Sequence, residues 1–293
     1  MQRLITILRL SRPLYLLLTA LTYILGAGIA RYLGKPQAPA TFWLGLVGVL
    51  LAQLSMNLLA EVFRPANEPI VLNETLTDRR LTRDAALYVS IGALAALAVI
   101  AFLLYKDRHL GASAFLFITV SLFVLLIYSV PPLRLMDKGF GELLLSVQIA
   151  YLSPSIAYLL QAGTYHNLVV FISTPLVLLM LAMFLALDFP SYSGDMKYER
   201  NTLLARLGWE RAIPFHHVLV IGAYIFFAAV PIFGFSLRLL WPAFLTFPFA
   251  LLQIYWLRNI SLGLRPLWNL LTANAIAIFG LTAYLLTLTF WLR

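Results

Sequence analysis

Apolar runs of about 20 residues recur along the whole chain, each long enough to cross the roughly 30 Å hydrocarbon layer of a bilayer. They fall at about 13–30, 42–63, 86–104, 112–130, 141–162, 167–187, 213–236, 239–257 and 267–290. With 62% hydrophobic and 11% charged residues over 293 positions, one soluble core would leave most of this surface in water. The sequence therefore predicts an all-α, polytopic membrane protein of about nine transmembrane helices, built as a single domain over 1–293. Arg3, Arg9 and Arg12 precede the first run. That run exceeds a signal-peptide core and shows no small-residue cleavage site, so it reads as an uncleaved first span.

The formal net charge of +9 would fit a nucleic-acid binder, but the basic residues are scattered through short loops. That is the distribution of the positive-inside rule, and it predicts a lipid bilayer as partner and no nucleic acid. With the N-terminus inside, the inner side holds fifteen basic residues. These are Arg64, Arg79, Arg80, Arg83, Arg134, Lys138, Lys197, Arg200, Arg206, Arg211, Arg258 and Arg265, with the three N-terminal arginines. Six lie outside: Arg31, Lys35, Lys106, Arg108, Arg238 and Arg293. Nine spans then place the C-terminus outside. Zero cysteines exclude disulfides, thiolate metal sites and a cysteine nucleophile.

Eleven of the twelve carboxylates share the inner side, Asp107 being the exception. Acids contribute little to topology, so their one-sidedness has another cause. Longer inner loops are one; a functional site is the other. One cluster begins with Asn57 and Glu61, four residues apart on one helical face. Pro65 should end or kink that helix, which lets Asn67 and Glu68 fold back to the same mouth. Oxygen ligands of this kind suit Mg²⁺, which binds one or two carboxylates together with substrate phosphates. An ordinary interfacial helix end has the same composition. A second cluster runs from Asp188 to Asp195, which a helix would stack two turns apart, followed by Lys197, Arg200 and Arg206. These basic groups can pair with the acids or grip phosphate oxygens.

A third segment reads Tyr128-Ser-Val-Pro-Pro-Leu-Arg134-Leu, then Lys138-Gly-Phe-Gly-Glu142-Leu. Its prolines end a span and leave Arg134 and Lys138 at the inner mouth. Each of the segments 64–85 and 188–212 can form a short amphipathic helix over the bundle, with Thr82 as an N-cap in the first. His109, His166, His216 and His217 offer no metal-ligand spacing and read as interfacial residues.

Together the three segments resemble the UbiA superfamily of membrane prenyltransferases. The Tyr128–Leu135 run with Gly139–Leu143 is similar to that family's loop between its fourth and fifth helices. Asp188-Phe-Pro-Ser-Tyr-Ser-Gly-Asp195, with Leu203–Gly208, resembles its second aspartate motif, and Arg12-Pro13 also fits. The first motif departs: Asn57 matches, Leu58 and Pro65 replace acids, and Glu61 stands for aspartate. In the second motif Ser191 replaces the middle acid.

The resemblance implies a UbiA-like bundle with a cytosolic cap and a Mg²⁺-dependent transfer of a polyprenyl group. The donor would be a polyprenyl diphosphate, and the acceptor an aromatic, quinone-precursor-like or other lipophilic molecule. It implies Glu61, Asp188 and Asp195 as catalytic and metal-ligating residues. Asn57, Arg64, Asn67, Glu68, Tyr128, Arg134, Lys138, Lys197 and Arg206 would contact substrate. The reduced acid set also fits a non-catalytic scaffold or lipid-binding subunit on the same fold. A secondary transporter fits less well, because the span centres carry little beyond Gln53, Gln148 and Gln253.

Overall fold

The computed structural model describes residues 2–64, 75–107, 110–198 and 200–293. Asn67 and Glu68 lie outside the described residues. The chain is helical throughout what is described, in the order α1 (Gln2–Leu10), α2 (Pro13–Tyr32), α3 (Pro39–Val62), α4 (Leu76–Lys106), α5 (Ala112–Ser129), α6 (Gly141–Val147) and α7 (Ser153–Ala162), then α8 (Asn167–Asp188), α9 (Tyr192–Lys197), α10 (Leu203–Leu207), α11 (Trp209–Ala229), α12 (Phe247–Ser261) and α13 (Trp268–Leu292).

Among the described residues eight helical stretches are long and apolar enough to cross a membrane, so the protein is an integral, multi-pass membrane protein. The predicted span at 239–257, the eighth in order, takes another form. A 3₁₀ stretch, Trp241–Thr246, leads into α12, and prolines sit in the first turn of each piece. Proline removes the amide that a continuous helix would need there. The summed rise of the two pieces is about 34 Å.

The amphipathic segment before the third span also differs from expectation. It is not a separate cap with Thr82 at its start. Thr75 is the N-cap, accepting from the Asp78 amide at 3.1 Å, and the helix runs unbroken for 31 residues. Thr82 lies inside it and donates to the Asp78 carbonyl at 2.8 Å. The Thr75 hydroxyl also reaches the Asp78 carboxylate at 2.7 Å, so a reciprocal cap fixes the earlier start.

The core is made by α2, α3, α7, α8 and α13, whose facing residues are almost fully buried. Close approach of α2 and α7 requires Gly26: a Cβ there would lie 2.0 Å from the Pro154 carbonyl oxygen. One π turn, Gln148–Leu152, interrupts the fifth span between α6 and α7. Its Ile149 carbonyl accepts from the Thr22 hydroxyl at 2.7 Å, so the irregular backbone is satisfied by the neighbouring helix.

Candidate active site

At one end of the bundle α2 begins while α3, α5 and α8 end. The chain between α5 and α6 and the chain from α8 to α10 close over that end. Between them lies a cavity of about 220 Å³. Its polar lining is Arg12, Tyr15, Tyr128, Asp137, Glu142, Asp188, Arg200 and Thr202, and its apolar lining includes Met136, Leu145 and Phe184.

Glu142 stands in the first turn of α6, where the free amides of a helix start favour a carboxylate. One of its oxygens accepts from the Leu203 amide at 3.1 Å, which ties α6 to α10. The other, Oε2, is buried with no hydrogen-bond partner. Asp188, the last residue of α8, lines the same cavity, near enough to Glu142 and Asp195 for their charges to repel. Asp188 Oδ2 is likewise buried and unpartnered. Two unsatisfied carboxylate oxygens facing one cavity are costly as they stand, and a cation between them relieves the repulsion.

The second cluster is not one continuous helix. A 3₁₀ turn, Phe189–Ser191, carries Pro190 and separates α8 from α9. Asp195 is buried and held from two sides, by the Ser191 hydroxyl at 3.1 Å and by Arg200 Nη1 at 3.5 Å. Arg200 also lines the cavity.

Glu61 has different company. Its Oε1 pairs with Arg12 Nη2 at 3.0 Å and its Oε2 with Arg64 Nη2 at 2.6 Å. Arg12 turns its other face to the cavity, 3.5 Å from the Tyr128 hydroxyl and 5.4 Å from the Tyr15 ring centroid. Burial opposes the charge on Arg12, but Tyr128, Tyr15 and Glu61 outweigh it and hold the guanidinium above its ordinary pKa. Asn57 is also engaged: its amide donates to the Ser11 carbonyl at 2.8 Å and its oxygen accepts from Gln53 at 2.9 Å.

Glu61, Asp188 and Asp195, expected as one ligand set, have different neighbours here. Two arginines occupy Glu61, and among the described residues no three acids or histidines converge as an ion site. What fits is smaller: the facing Glu142–Asp188 pair, with its two unpartnered oxygens. That suits Mg²⁺, which completes its shell with waters and substrate phosphates.

The remaining expected contacts divide. Tyr128 lines the cavity. Arg134 is buried beside it, paired through Nε with Asp137. Arg206 straps the cap instead, donating to the Lys138 carbonyl at 2.8 Å with its guanidinium 4.9 Å from the Phe140 ring centroid. The Lys138 side chain is exposed, and Lys197 is exposed over the Tyr198 ring. Sequence reasoning missed Glu142, Tyr15 and Arg12 as site residues, whereas Arg200 was among the basic groups it offered for phosphate. For Glu142 a signal existed: an acid two residues after Gly-Phe at the start of a span, close to the Pro131-Pro132 turn.

Acids and arginines thus gather at the mouth of an apolar, membrane-spanning helical bundle. The UbiA prenyltransferase family matches residues 19–268, and the chain belongs to that family. None of the curated proteins matches the sequence. Among solved structures, a UbiA homolog from Archaeoglobus fulgidus is similar with a TM-score of 0.63 and 18% identity, covering 97% of this chain and 99% of that one. The same organism's UbiA homolog bound to GPP and Mg²⁺ gives 0.60 and 17%, with 98% of each chain covered. A digeranylgeranylglyceryl phosphate synthase gives 0.61 and 16%, covering 100% of this chain and 98% of that one. At these identities the likeness shows a shared fold.

Proposed function

We propose that the chain transfers a prenyl group from a prenyl diphosphate to a lipophilic acceptor, with the diphosphate seated in the cavity among Arg12, Glu142, Asp188 and Arg200. One observation carries this reading: Glu142 and Asp188 line one cavity together with Arg12 and Arg200, and Glu142 Oε2 and Asp188 Oδ2 are buried without a hydrogen-bond partner among the described residues. Neighbours solved with GPP and Mg²⁺ or with DMAPP and Mg²⁺ support it.

Mg²⁺ held by Glu142 and Asp188 would neutralise the departing diphosphate. Arg12 and Arg200 would donate to its non-bridging oxygens, where charge builds up as the C1–O bond breaks. The Tyr15, Tyr128 and Phe184 rings offer π faces to the electron-poor C1 carbon. Met136 and Leu145 cover the reacting end and keep water from capturing it. An electron-rich ring, phenol- or naphthol-like, would then attack that carbon while the prenyl tail lies among the apolar helices. The basic excess at the cavity end, with Arg12, Arg64, Arg134, Arg200 and Arg206, supports a cytoplasmic site and a cytoplasmic N-terminus.

The test is purified protein with Mg²⁺ and a panel of prenyl diphosphates and phenolic acceptors. The expected result is a prenylated product and released diphosphate, both lost in Asp188→Ala. A second reading, a non-catalytic lipid-binding subunit on the same fold, draws on the arginine pairing of Glu61. It gains if wild-type protein binds a prenyl diphosphate yet releases none with any acceptor.

A further inference from the structure

The acid-poor end of α3 carries Asn57 and Glu61, and this pair faces the joint between α1 and α2. That joint is unusual. Arg12, the residue between the two helices, sits at φ 51° and ψ 71°, a left-handed conformation that a side chain disfavours. Strain of this kind persists only where the surroundings over-determine it.

The surroundings do so through one face of α3. Gln53, Asn57 and Glu61 follow at i, i+4 and i+8, so they form a single polar stripe. Gln53 orients the Asn57 amide at 2.9 Å, Asn57 holds the Ser11 carbonyl at 2.8 Å, and Glu61 holds the Arg12 guanidinium at 3.0 Å. The three side chains are buried: relative exposure is 0% for Gln53, 0% for Asn57 and 2% for Glu61. Backbone and side chain of the same turn are thus gripped by adjacent turns of one helix. Leu58 has a matching task. It is buried against Leu10 of α1 and Ala86 of α4, so it packs the same joint.

We infer that Asn57 and Glu61 are positioning residues for Arg12: they fix its backbone turn and its guanidinium at the cavity wall so that it meets the donor diphosphate. This rests on the reading of the cavity as a diphosphate site. Glu61 acts through Arg12 and holds no ion. Asn57 acts one step earlier, by keeping Ser11 and Arg12 in the conformation that places the guanidinium at the cavity wall. The site therefore divides its acids: Glu142 and Asp188 serve the cation, and Glu61 serves an arginine.

The full chain in detergent provides the test, using Glu61→Gln, Glu61→Asp, Arg12→Ala and the Arg12→Ala/Glu61→Gln double variant. Binding of a non-hydrolysable prenyl thiodiphosphate should weaken about tenfold to a hundredfold in Glu61→Gln, the range for losing a charge-assisted contact. The double variant should bind no more weakly than Arg12→Ala alone, because both changes remove one interaction. Glu61→Asp should recover part of the loss. Mn²⁺ affinity, read by electron paramagnetic resonance, should stay within about twofold of wild type in Glu61→Gln. Phenylglyoxal modification of Arg12, followed by peptide mass spectrometry, should be several-fold faster in Glu61→Gln than in wild type.

Additive losses in the double variant, or loss of Mn²⁺ binding in Glu61→Gln, would overturn the inference. So would an unchanged modification rate. A wild type that binds no thiodiphosphate would instead defeat the reading of the cavity, and the modification rate would still decide whether Glu61 holds Arg12.

Discussion

At the end of α3 each Glu61 oxygen lies within ion-pair distance of an arginine, Oε2 without hydrogen-bond geometry, whereas at the end of α8 Asp188 keeps one buried oxygen with neither a cation nor a hydrogen bond among the described residues. Both acids close an apolar helix at the same mouth of the bundle, and both belong to segments that look alike in composition. Their surroundings separate them. Glu61 is met by Arg12, which the α1–α2 turn delivers, and by Arg64, three residues on along its own chain. Asp188 is met by Glu142, another acid, which α6 delivers from a different part of the sequence. An acid's role at a helix end is set by the charge of what the fold brings to it. A neutralised carboxylate positions its partner, and a pair of carboxylates seeks a cation.

The contrast is broken most directly at the acidic pair. Glu142→Gln or Asp188→Asn should lower prenyl transfer by about a thousandfold, the scale of removing a main electrostatic contribution to a transition state. A product assay checks it, and a loss of less than tenfold in both variants would remove the pair from the chemistry. Glu61→Gln should act differently. KM for the donor should rise by about tenfold or more, with a smaller change in kcat, because ground-state binding is what Arg12 supplies first. Steady-state kinetics at saturating Mg²⁺ separate the two patterns.

Smaller effects sharpen the outline of the site. Gly139 has φ 73°, and a Cβ there would meet Arg206 Cδ at 2.1 Å. Gly139→Ala should therefore lower thermal stability, by about 1–2 kcal/mol, through the strained turn and the displaced strap. A melting curve in detergent reads it. Lys197 is exposed, stacked over Tyr198 and absent from the cavity wall, so Lys197→Ala should change donor KM by less than about twofold.

Much of the fold was legible in the sequence because a bilayer imposes one rule on every segment. Apolar runs of span length give the helices, and the loop prolines give their ends. The eighth span was less legible. Pro242 and Pro248 split it into a 3₁₀ stretch and a short helix, which hydropathy alone does not distinguish from one continuous helix. Within the site, Asp188, Tyr128 and the Arg12-Pro13 turn stood out locally. The partnership of Glu142 with Asp188 did not, since it joins residues 46 positions apart that only packing of α6 against α8 brings together. The arginine pairing of Glu61 was hidden for the same reason: Arg12 lies 49 positions away and arrives through a backbone turn that no propensity favours.

The division of labour between the two helix ends is tested most directly by divalent-ion binding at non-hydrolysable prenyl thiodiphosphate concentrations that saturate each variant. Mn²⁺ titrations of wild type, Glu142→Gln and Glu61→Gln would read it. The account predicts that Glu142→Gln loses the bound ion while Glu61→Gln keeps it with near-wild-type ion affinity. Retention of the ion in Glu142→Gln together with its loss in Glu61→Gln would contradict it.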